Sequence, residues 1–455
     1  MTQTQQQSSR QSSFYGLGIA PALLEVLDRL RLTIPTPIQA KAIPIAIEGK
    51  DVVGIAQTGT GKTLAFGIPM LQRIAQQKGR GVVIVPTREL ALQIDQALQQ
   101  IGRPFGLRTA VLIGGQGMEI QMRQLKAKPH IIIATPGRFN DHLENYALNL
   151  SATQILVLDE ADRMLDMGFA PQINKIIKHI PKVRQTMLFS ATMPPEVFKM
   201  ASQYMQMPIR IEVAPSGSTA KEVSQEVYFV DARDKIHLLE NILSEYRGSI
   251  LVFTRTKHAA KKLAVMVRRM GHAAAEIHSN RSLSQRRAAM DGFKIGKFRV
   301  LVATDIAARG IDVSGIELVL NYDLPEKAED YVHRIGRTAR AGAAGHAISF
   351  AMPQQRGDVR SIERVIRMAV PVTPIPTLHR SQAMLDVPFF PERARIIVTP
   401  SRPRSAERRT KAKQYFGPGV YEPDASRSPR TAVHRGRFSH PKNRQRTFTP
   451  KRYAR

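Results

Sequence analysis

Short apolar runs recur along most of the chain, and stretches with helical spacing separate them. β-Branched runs predict a first set of strands at 52–55, 82–85, 109–112, 130–134, 155–159 and 187–189. They predict a second set at 227–230, 250–254, 273–277, 300–303, 318–321 and 347–350. Strands that alternate with helices are typical of parallel sheets flanked by helices. The pattern therefore predicts an α/β protein with two tandem parallel-sheet domains.

Polar stretches place the domain boundaries. Residues 1–13 are rich in Gln and Ser and predict a disordered tail, and 213–222 predict a linker. The first domain is then 14–212 and the second 223–369. Prolines and scattered apolar residues predict a disordered tail over 370–455.

The positive charge of the chain predicts a type of binding partner. The 455 residues carry a net charge of +30, and from Arg380 to Arg455 the sequence has 19 Lys/Arg against 5 Asp/Glu. Such an excess favours a polyanionic partner, nucleic acid before membrane. Aromatic residues in the same stretch are suited to stack on unpaired bases. The tail is therefore predicted to bind nucleic acid.

Composition also excludes several classes of protein. The chain has no cysteine, which rules out disulfides and cysteine metal sites and fits a reducing compartment. Its 12 histidines show no metal-ligand spacing. The N-terminus lacks the apolar segment of a secretory signal, and no apolar run approaches the ~18–20 residues that span a bilayer. We expect a cytoplasmic protein with no membrane partner.

The first stretch that carries chemistry follows the first predicted strand. Residues 56–63 read Ala-Gln-Thr-Gly-Thr-Gly-Lys-Thr, and a helical stretch begins at 64. Glycines let backbone N–H groups turn towards phosphate oxygens, and a helix N-terminus favours the same anion. Lys62 is predicted to reach the β- and γ-phosphates and Thr63 to ligate Mg²⁺. The other predicted cradle residues are Ala56, Gln57, Thr58, Gly59, Thr60 and Gly61. An ordinary loop with a lysine is the alternative.

Acidic residues follow a later apolar run. Asp159 and Glu160 come directly after 155–158, and parallel strands bind ligands at their carboxyl ends. Asp159 is suited to hold Mg²⁺, directly or through water, and Glu160 to orient and deprotonate the attacking water. The alternative is an acidic helix N-terminus, which the helix dipole favours.

The second domain has no phosphate loop, so it is predicted to complete a site. Arg337 and Arg340 are three residues apart, and one helical turn aims both the same way. Planar guanidinium groups suit a γ-phosphate as charge develops on it. Both are predicted to act in catalysis as arginine fingers, with a pair of surface arginines as the alternative.

Taken together, 56–63 and Asp-Glu-Ala-Asp at 159–162 resemble the DEAD-box RNA helicases. Further motifs follow in the order of that family, at 86–90, 114–115, 135–138, 190–192, 251–254, 304–312 and 333–340. The resemblance covers about 14–368 and is greatest to the bacterial RhlE-like subgroup. It implies two RecA-like domains, ATP and Mg²⁺, an RNA partner, and ATP hydrolysis coupled to local duplex unwinding or ribonucleoprotein remodelling.

The resemblance also implies roles for single residues. Phe14 would stack on adenine and Gln39 bond its edge, and Gly310 and Asp312 would reach the nucleotide from the second domain. The implied RNA contacts are Arg88, Gly115, Thr135, Arg138, Arg286 and Thr304. The residues implied to couple hydrolysis to strand separation are Asp162, Ser190, Thr192 and His333.

Three positions depart from the family pattern, and one rival function stays open. Ser279 and Ala339 stand where glycine is usual, and Leu283 stands where a glutamine is usual. Because Leu283 cannot hydrogen-bond, it removes one RNA or interdomain contact, which Gln285 or Arg287 would have to replace. The rival is an ATP-gated RNA clamp or scaffold. The RNA target, the RNA-processing partners and the pathway, whether ribosome assembly, RNA decay or cold response, are not identified by the sequence.

Overall fold

The computed structural model of the chain describes residues 13–57, 59–146, 148–213, 223–308, 315–338 and 345–377. Within them the chain forms two α/β lobes, each built on a parallel sheet. The predicted linker beyond Val213 and the tail beyond 377 lie outside the described residues. None of the helices in the described ranges is long and apolar enough to cross a membrane.

The first lobe holds seven strands and nine helices in the described residues. The strands are β1 Val52–Ile55, β2 Arg80–Ile84, β3 Thr109–Leu112, β4 Ile131–Ala134, β5 Thr153–Leu158, β6 Gln185–Ser190 and β7 Ile209–Glu212. The helices are α1 Pro21–Arg29, α2 Pro37–Ile47, α3 Lys62–Gln77, α4 Arg88–Gly102, α5 Met118–Lys126, α6 Pro136–Asn145, α7 Ala161–Asp166, α8 Ala170–Lys178 and α9 Pro195–Tyr204.

The first sheet has the order β3-β4-β2-β5-β6-β1-β7, and helices pack on both of its faces. Alternation along β5 sends Ile155 and Val157 into one core cluster and Leu156 and Leu158 into the other. Strands β5, β6 and β1 are neighbours. Their carboxyl ends therefore meet at one edge, where the loop after β1 and the acids after β5 lie.

The second lobe has the sheet order β10-β11-β9-β12-β13-β8. Its strands are β8 Val223–Phe229, β9 Ile250–Phe253, β10 Ala274–Ile277, β11 Val300–Ala303, β12 Leu318–Asn321 and β13 Gly345–Ala351. Its helices are α10 Lys235–Glu245, α11 Lys257–Arg269, α12 Leu283–Lys294, α13 Asp305–Ala308, α14 Ala328–Ile335 and α15 Arg356–Ile366.

Every strand that the sequence predicts is present; 52–55, 109–112, 300–303 and 318–321 match residue for residue, and the other strands differ at their ends. Strand β7 was not predicted. Its residues alternate between exposed and buried, as on a sheet edge, and Ile211 is its one buried side chain. A run of four residues with a single core position gives little periodic signal.

A short segment after α15 covers the edge strand of the second sheet. Val227 donates its N–H to Pro371 O (2.9 Å) and accepts from Thr373 N (3.0 Å). The Thr373 hydroxyl also donates to Glu226 Oε2 at 2.6 Å. The ordered chain therefore continues past the predicted domain boundary at 369.

Candidate nucleotide and RNA site

The loop after β1 has the backbone of a phosphate cradle. Gly59 and Gly61 adopt φ values of 88° and 84°, which glycine reaches without a Cβ penalty. Lys62 begins α3, and its buried Nζ donates to Ala56 O at 2.7 Å. The Thr60 hydroxyl donates to Gln57 O at 2.7 Å. These two bonds join the end of the loop to its beginning, and Thr58 lies outside the described residues.

The segment implied to read adenine is joined to this loop. Gln39 accepts from Thr36 N at 2.9 Å and donates from Nε2 to Gly61 O at 3.0 Å. Phe14 is only 3% exposed and packs in the first core cluster. Stacking on a base would require this side chain to leave that packing, so its adenine contact stays a prediction.

Two buried carboxylates, Asp159 and Glu160, follow β5, and their surroundings shift their pKa values in opposite directions. Burial raises the pKa of Asp159 to about 6, although Lys62 opposes the shift. Burial alone would also raise the pKa of Glu160, but Arg163, Lys62 and Arg337 together lower it. Glu160 is therefore held as an anion, the form that a general base needs.

Arg163 is the partner that fixes Glu160. Its Nη1 donates to both carboxylate oxygens, at 3.0 and 2.9 Å, and both side chains are buried. Glu160 itself has φ 53°, a left-handed conformation that is costly for a residue with a Cβ. Glu160 directly precedes α7, but its burial, its strained backbone and its bonds to Arg163 are typical of a functional site.

The predicted coupling residues of the first lobe contact each other. Asp162 Oδ2 accepts from Ala191 N (3.2 Å), from Thr192 N (2.9 Å) and from the Thr192 hydroxyl (2.9 Å). Ser190 Oγ accepts from Asp162 N at 3.2 Å. The start of α7 is thus tied directly to the end of β6.

Arg334 anchors α14 of the second lobe beside the cleft. It makes a two-pronged ion pair with Asp305 (2.6 and 2.7 Å) and also donates to Asn321 Oδ1 and Asp323 O. One turn later, buried Arg337 donates from Nε to His333 O at 3.2 Å. Arg340, Gly310 and Asp312 lie outside the described residues.

A small cleft lies between the two lobes, beside Arg163, the partner of Glu160. Arg163 of the first lobe lines it together with His333, Arg334 and Arg337 of the second. Because Arg337 also lowers the pKa of Glu160, the second lobe reaches the chemistry of the first. The predicted arginine and the predicted base therefore share one site.

The residues implied to bind RNA through the first lobe also converge. Thr87 caps α4 by accepting from Leu90 N, and Arg88 begins this helix. A Cβ at Gly114 or Gly115 would lie 2.8 or 2.5 Å from the Arg88 guanidinium, so this cation lies against the glycine backbone. Arg138 Nη1 donates to Gln116 O at 3.1 Å, and Thr135 precedes the same helix, α6.

Arg286 brings a third cation to this group from the second lobe. It pairs with Glu89 at 2.8 Å. Desolvation lowers the pKa of Arg88, and the charges of Arg286 and Arg138 lower it further. Like charges held this close favour an anion between them. Thr304 is placed at the end of β11 and donates its N–H to Ile277 O at 3.2 Å.

Leu283 contacts the first lobe through apolar packing, whereas the sequence indicated only that a hydrogen bond is lost at this position. It packs against the first core cluster, so an apolar interlobe contact replaces a polar one. Gln285 is not its substitute, because its side chain closes a capping box with Ser282. A second interlobe contact joins Lys327 to Asp166 at 2.8 Å. Ala339 lies outside the described residues.

The residues that the sequence did not single out act through other residues. Arg163 holds Glu160, Arg334 anchors the helix of Arg337, and Gln121 supports the Gly114–Gly115 loop. The signal for Arg334 lay in its own motif at 333–340. Gln121 lies in no motif, and its role depends on contacts that sequence spacing does not show.

Comparison with known proteins places these features in a family. Residues 36–200 match the DEAD/DEAH box helicase family, and 234–342 match the helicase conserved C-terminal domain. The ATP-dependent rRNA helicase RRP3 of Debaryomyces hansenii is 43% identical over 378 residues, covering 82% of this chain and 78% of its own. The DEAD-box ATP-dependent RNA helicase CshA of Geobacillus kaustophilus is 41% identical over 373 residues, covering 81% and 80%.

The fold agrees with a solved structure in a bound state. S. cerevisiae Dbp5 bound to RNA and ADP BeF3 has a TM-score of 0.73 and 29% identity, covering 80% of this chain and 96% of that one. Two RecA-like lobes with one phosphate-binding loop define a nucleotide-driven enzyme that acts on nucleic acid. The chain belongs to the DEAD-box family of ATP-dependent RNA helicases.

Proposed function

We propose that this helicase uses ATP binding to close its lobes on RNA, opens a short duplex locally, and uses hydrolysis to release the RNA. One observation carries the proposal: Arg337 of the second lobe lines the same cleft as Arg163, the partner of Glu160 in the first lobe. A base and an arginine supplied from separate lobes function together only when the lobes meet. Turnover is then coupled to closure.

The residues at the first lobe fit Mg²⁺-bound ATP. A carboxylate and a hydroxyl are the hard oxygen ligands that Mg²⁺ takes, with phosphates and waters completing its shell. Burial raises the pKa of Asp159 to about 6 because Lys62 only partly offsets the cost of burying its charge, so a bound cation would stabilise the ionised carboxylate. Asp159 and Thr63 would hold the ion, which would neutralise phosphate charge.

The remaining roles in hydrolysis divide between the lobes. Lys62 would exchange its bond to Ala56 O for the phosphates, and Glu160 would take a proton from the attacking water. Arg337, joined by Arg340, would stabilise the charge that develops on the γ-phosphate. Gly310 and Asp312 would complete the nucleotide contacts. Arginine fingers of this kind are worth ~10³–10⁵ in rate.

Adenine would be recognised through Gln39, whose amide lies beside the phosphate loop, and through Phe14. An amide that bonds the adenine edge discriminates against guanine, whereas a stacked ring does not. Gln39→Ala should therefore weaken ATP binding and lower turnover. Equal hydrolysis of GTP and ATP by the unmodified protein would exclude this role.

RNA would lie across the cations that both lobes supply. Arg88, Gly115, Thr135 and Arg138 would hold its backbone from the first lobe, and Arg286 and Thr304 from the second. Asp162, Ser190, Thr192 and His333 would pass the state of the nucleotide to this surface. The basic tail, outside the described residues, would add loose contacts that do not require ATP.

The substrate we propose is ribosomal RNA within assembling ribonucleoprotein, in the cytoplasm. The name of the RRP3 relative supports this choice. Crosslinking the protein in cells and sequencing the attached RNA would test it. Enrichment of messenger RNA over ribosomal RNA would redirect the proposal to RNA decay.

Parallel ATPase and strand-displacement assays separate the proposal from a clamp. Lys62→Ala should lose nucleotide affinity, because phosphate contacts are removed. Glu160→Gln should bind ATP and RNA but turn over slowly, because it keeps shape and loses the base. Unmodified protein that hydrolyses ATP with RNA yet displaces no short strand would identify an ATP-gated clamp. Near-normal turnover by Glu160→Gln would refute the assignment of the base.

A further inference from the structure

A buried glutamine spans the inner side of the Gly114–Gly115 loop. Gln121, on α5, is fully buried, and its Nε2 donates to Ile113 O at 3.0 Å and to Gln116 O at 3.1 Å. These two carbonyls flank the glycine pair. One side-chain amide therefore fixes both ends of the loop.

His142 sets the orientation of that amide. It is fully buried on α6, and its Nε2 lies 3.0 Å from Gln121 Oε1. Because the Gln121 nitrogen already donates to two carbonyls, its oxygen accepts and His142 donates. Burial and the charge of Arg138 lower the pKa of His142, so the ring stays neutral at physiological pH.

One of the two carbonyls that Gln121 bonds, Gln116 O, also accepts a hydrogen bond from Arg138, the arginine proposed to contact RNA. Arg138 donates to Gln116 O, as Gln121 does, and lies four residues before His142 on one face of α6. Arg88 also lies against the two glycines. The loop is thus contacted by a buried amide and by two partly exposed cations.

A purely stabilising role is the competing explanation, since buried polar groups are normally hydrogen-bonded. The loop itself argues for more. Gly115 has φ 79°, and glycine has little intrinsic preference that would hold this shape. Both amide bonds of Gln121 end on this loop rather than on a sheet or a helix. The loop shape therefore depends on this side chain.

We propose that Gln121, oriented by His142, is a positioning residue for RNA: it holds the Gly114–Gly115 loop and Arg138 in the geometry that receives an RNA backbone. This inference rests on the proposed function, in which Gly115 and Arg138 contact RNA. Gln121 touches neither the nucleotide loop nor the carboxylates. Its effect is confined to the step in which RNA binds.

The test is Gln121→Met in the full chain, with ATPase measured over a series of single-stranded RNA concentrations. The RNA concentration for half-maximal rate should rise roughly tenfold, the worth of about one net hydrogen bond. kcat at saturating RNA and the KM for ATP should stay unchanged. A merely structural role would lower stability without separating these parameters.

Gln185→Met is the matched control. Gln185 is also buried and also donates from Nε2 to two carbonyls, Ala46 O and Lys50 O, both at 2.8 Å. It begins β6, at the opposite ends of the strands from the ligand site. It should lose similar thermal stability while keeping the RNA half-saturation of the unmodified protein. An equal RNA defect in both variants would overturn the proposal.

His142→Leu and Arg138→Ala complete the experiment. His142→Leu should give a smaller RNA defect, and Gln121→Met/His142→Leu should match Gln121→Met, because His142 acts through the amide. Arg138→Ala should weaken RNA binding directly. No effect of Arg138→Ala would remove the proposed RNA site and this inference with it. A defect in Arg138→Ala alone, with Gln121→Met normal, would overturn the inference and leave the RNA site in place.

Discussion

Replacing Arg163 tests how the catalytic carboxylate is held. Arg163→Met keeps most of the side-chain length and removes the guanidinium that hydrogen-bonds both carboxylate oxygens of Glu160. Both partners are buried, with side chains 2% and 4% exposed, so water does not replace the lost cation. Removing one member of a buried ion pair costs about 3–5 kcal/mol. We expect about 3 kcal/mol, because Lys62 and Arg337 still act on Glu160.

The double variant distinguishes an ion pair from simple packing. Arg163→Met/Glu160→Gln removes both charges, so no uncompensated carboxylate stays buried. It should be more stable than Arg163→Met alone, with a coupling free energy of about 1–3 kcal/mol. Urea unfolding followed by circular dichroism measures these differences. Additive losses in the double variant would refute the reasoning.

Activity gives a second readout of the same change. Arg163→Met should bind ATP normally, since the phosphate loop is untouched, but its kcat should fall towards that of Glu160→Gln. Arg163→Lys keeps the charge and should recover part of the loss. General base catalysis contributes ~10²–10⁴-fold, which bounds the expected decrease.

Three further predictions concern other parts of the molecule. Leu283→Ala removes an apolar interlobe contact and should raise half-saturating RNA about fivefold, the effect of ~1 kcal/mol, in RNA-stimulated ATPase. An unchanged value would show that the contact does not help closure. Burial raises the pKa of Asp95, so folding stability falls as pH rises above the usual aspartate pKa of about 3.9. Asp95→Asn can still accept the bond from Thr109, and it should be more stable than the unmodified protein at pH 7 and equal to it near pH 3 in thermal unfolding. The opposite trend would show that the charged form is favoured. Cutting the chain after Thr377 should flatten the slope of log RNA affinity against log salt by roughly 3, if about four phosphates contact the tail, with kcat unchanged. An equal slope would show that the tail is inert.

The sequence predicted the sheets well because their strands are buried on both faces. Runs such as 155–158 are apolar throughout, and the glycine and acidic punctuation after them marks the ligand edge. Strand β7 escaped because an edge strand with one core position has almost no period. Strands that are buried on both faces could therefore be predicted from the sequence, whereas this partly exposed edge strand could not.

The site divides in the same way. Lys62, Asp159 and Arg337 could be predicted as site residues because their motifs are local in sequence. Gln121 and Arg163 were missed because each acts through another group. Gln121 holds the Gly114–Gly115 loop, and Arg163 holds the Glu160 carboxylate. The family resemblance implies that Phe14 stacks on adenine, but it does not show that the ring is packed in the core.

The strand pairing of 371–373 changes how this chain can be shortened. Without Val372 beside Val227, strand β8 would present a free row of N–H and C=O groups at the side of the second sheet. Such an edge is a template for pairing with another chain and leads to aggregation. A cut before 371 would thus remove the segment that pairs with this edge as well as the basic residues of the tail. Loss of activity in so short a fragment would report self-association rather than lost contact with RNA.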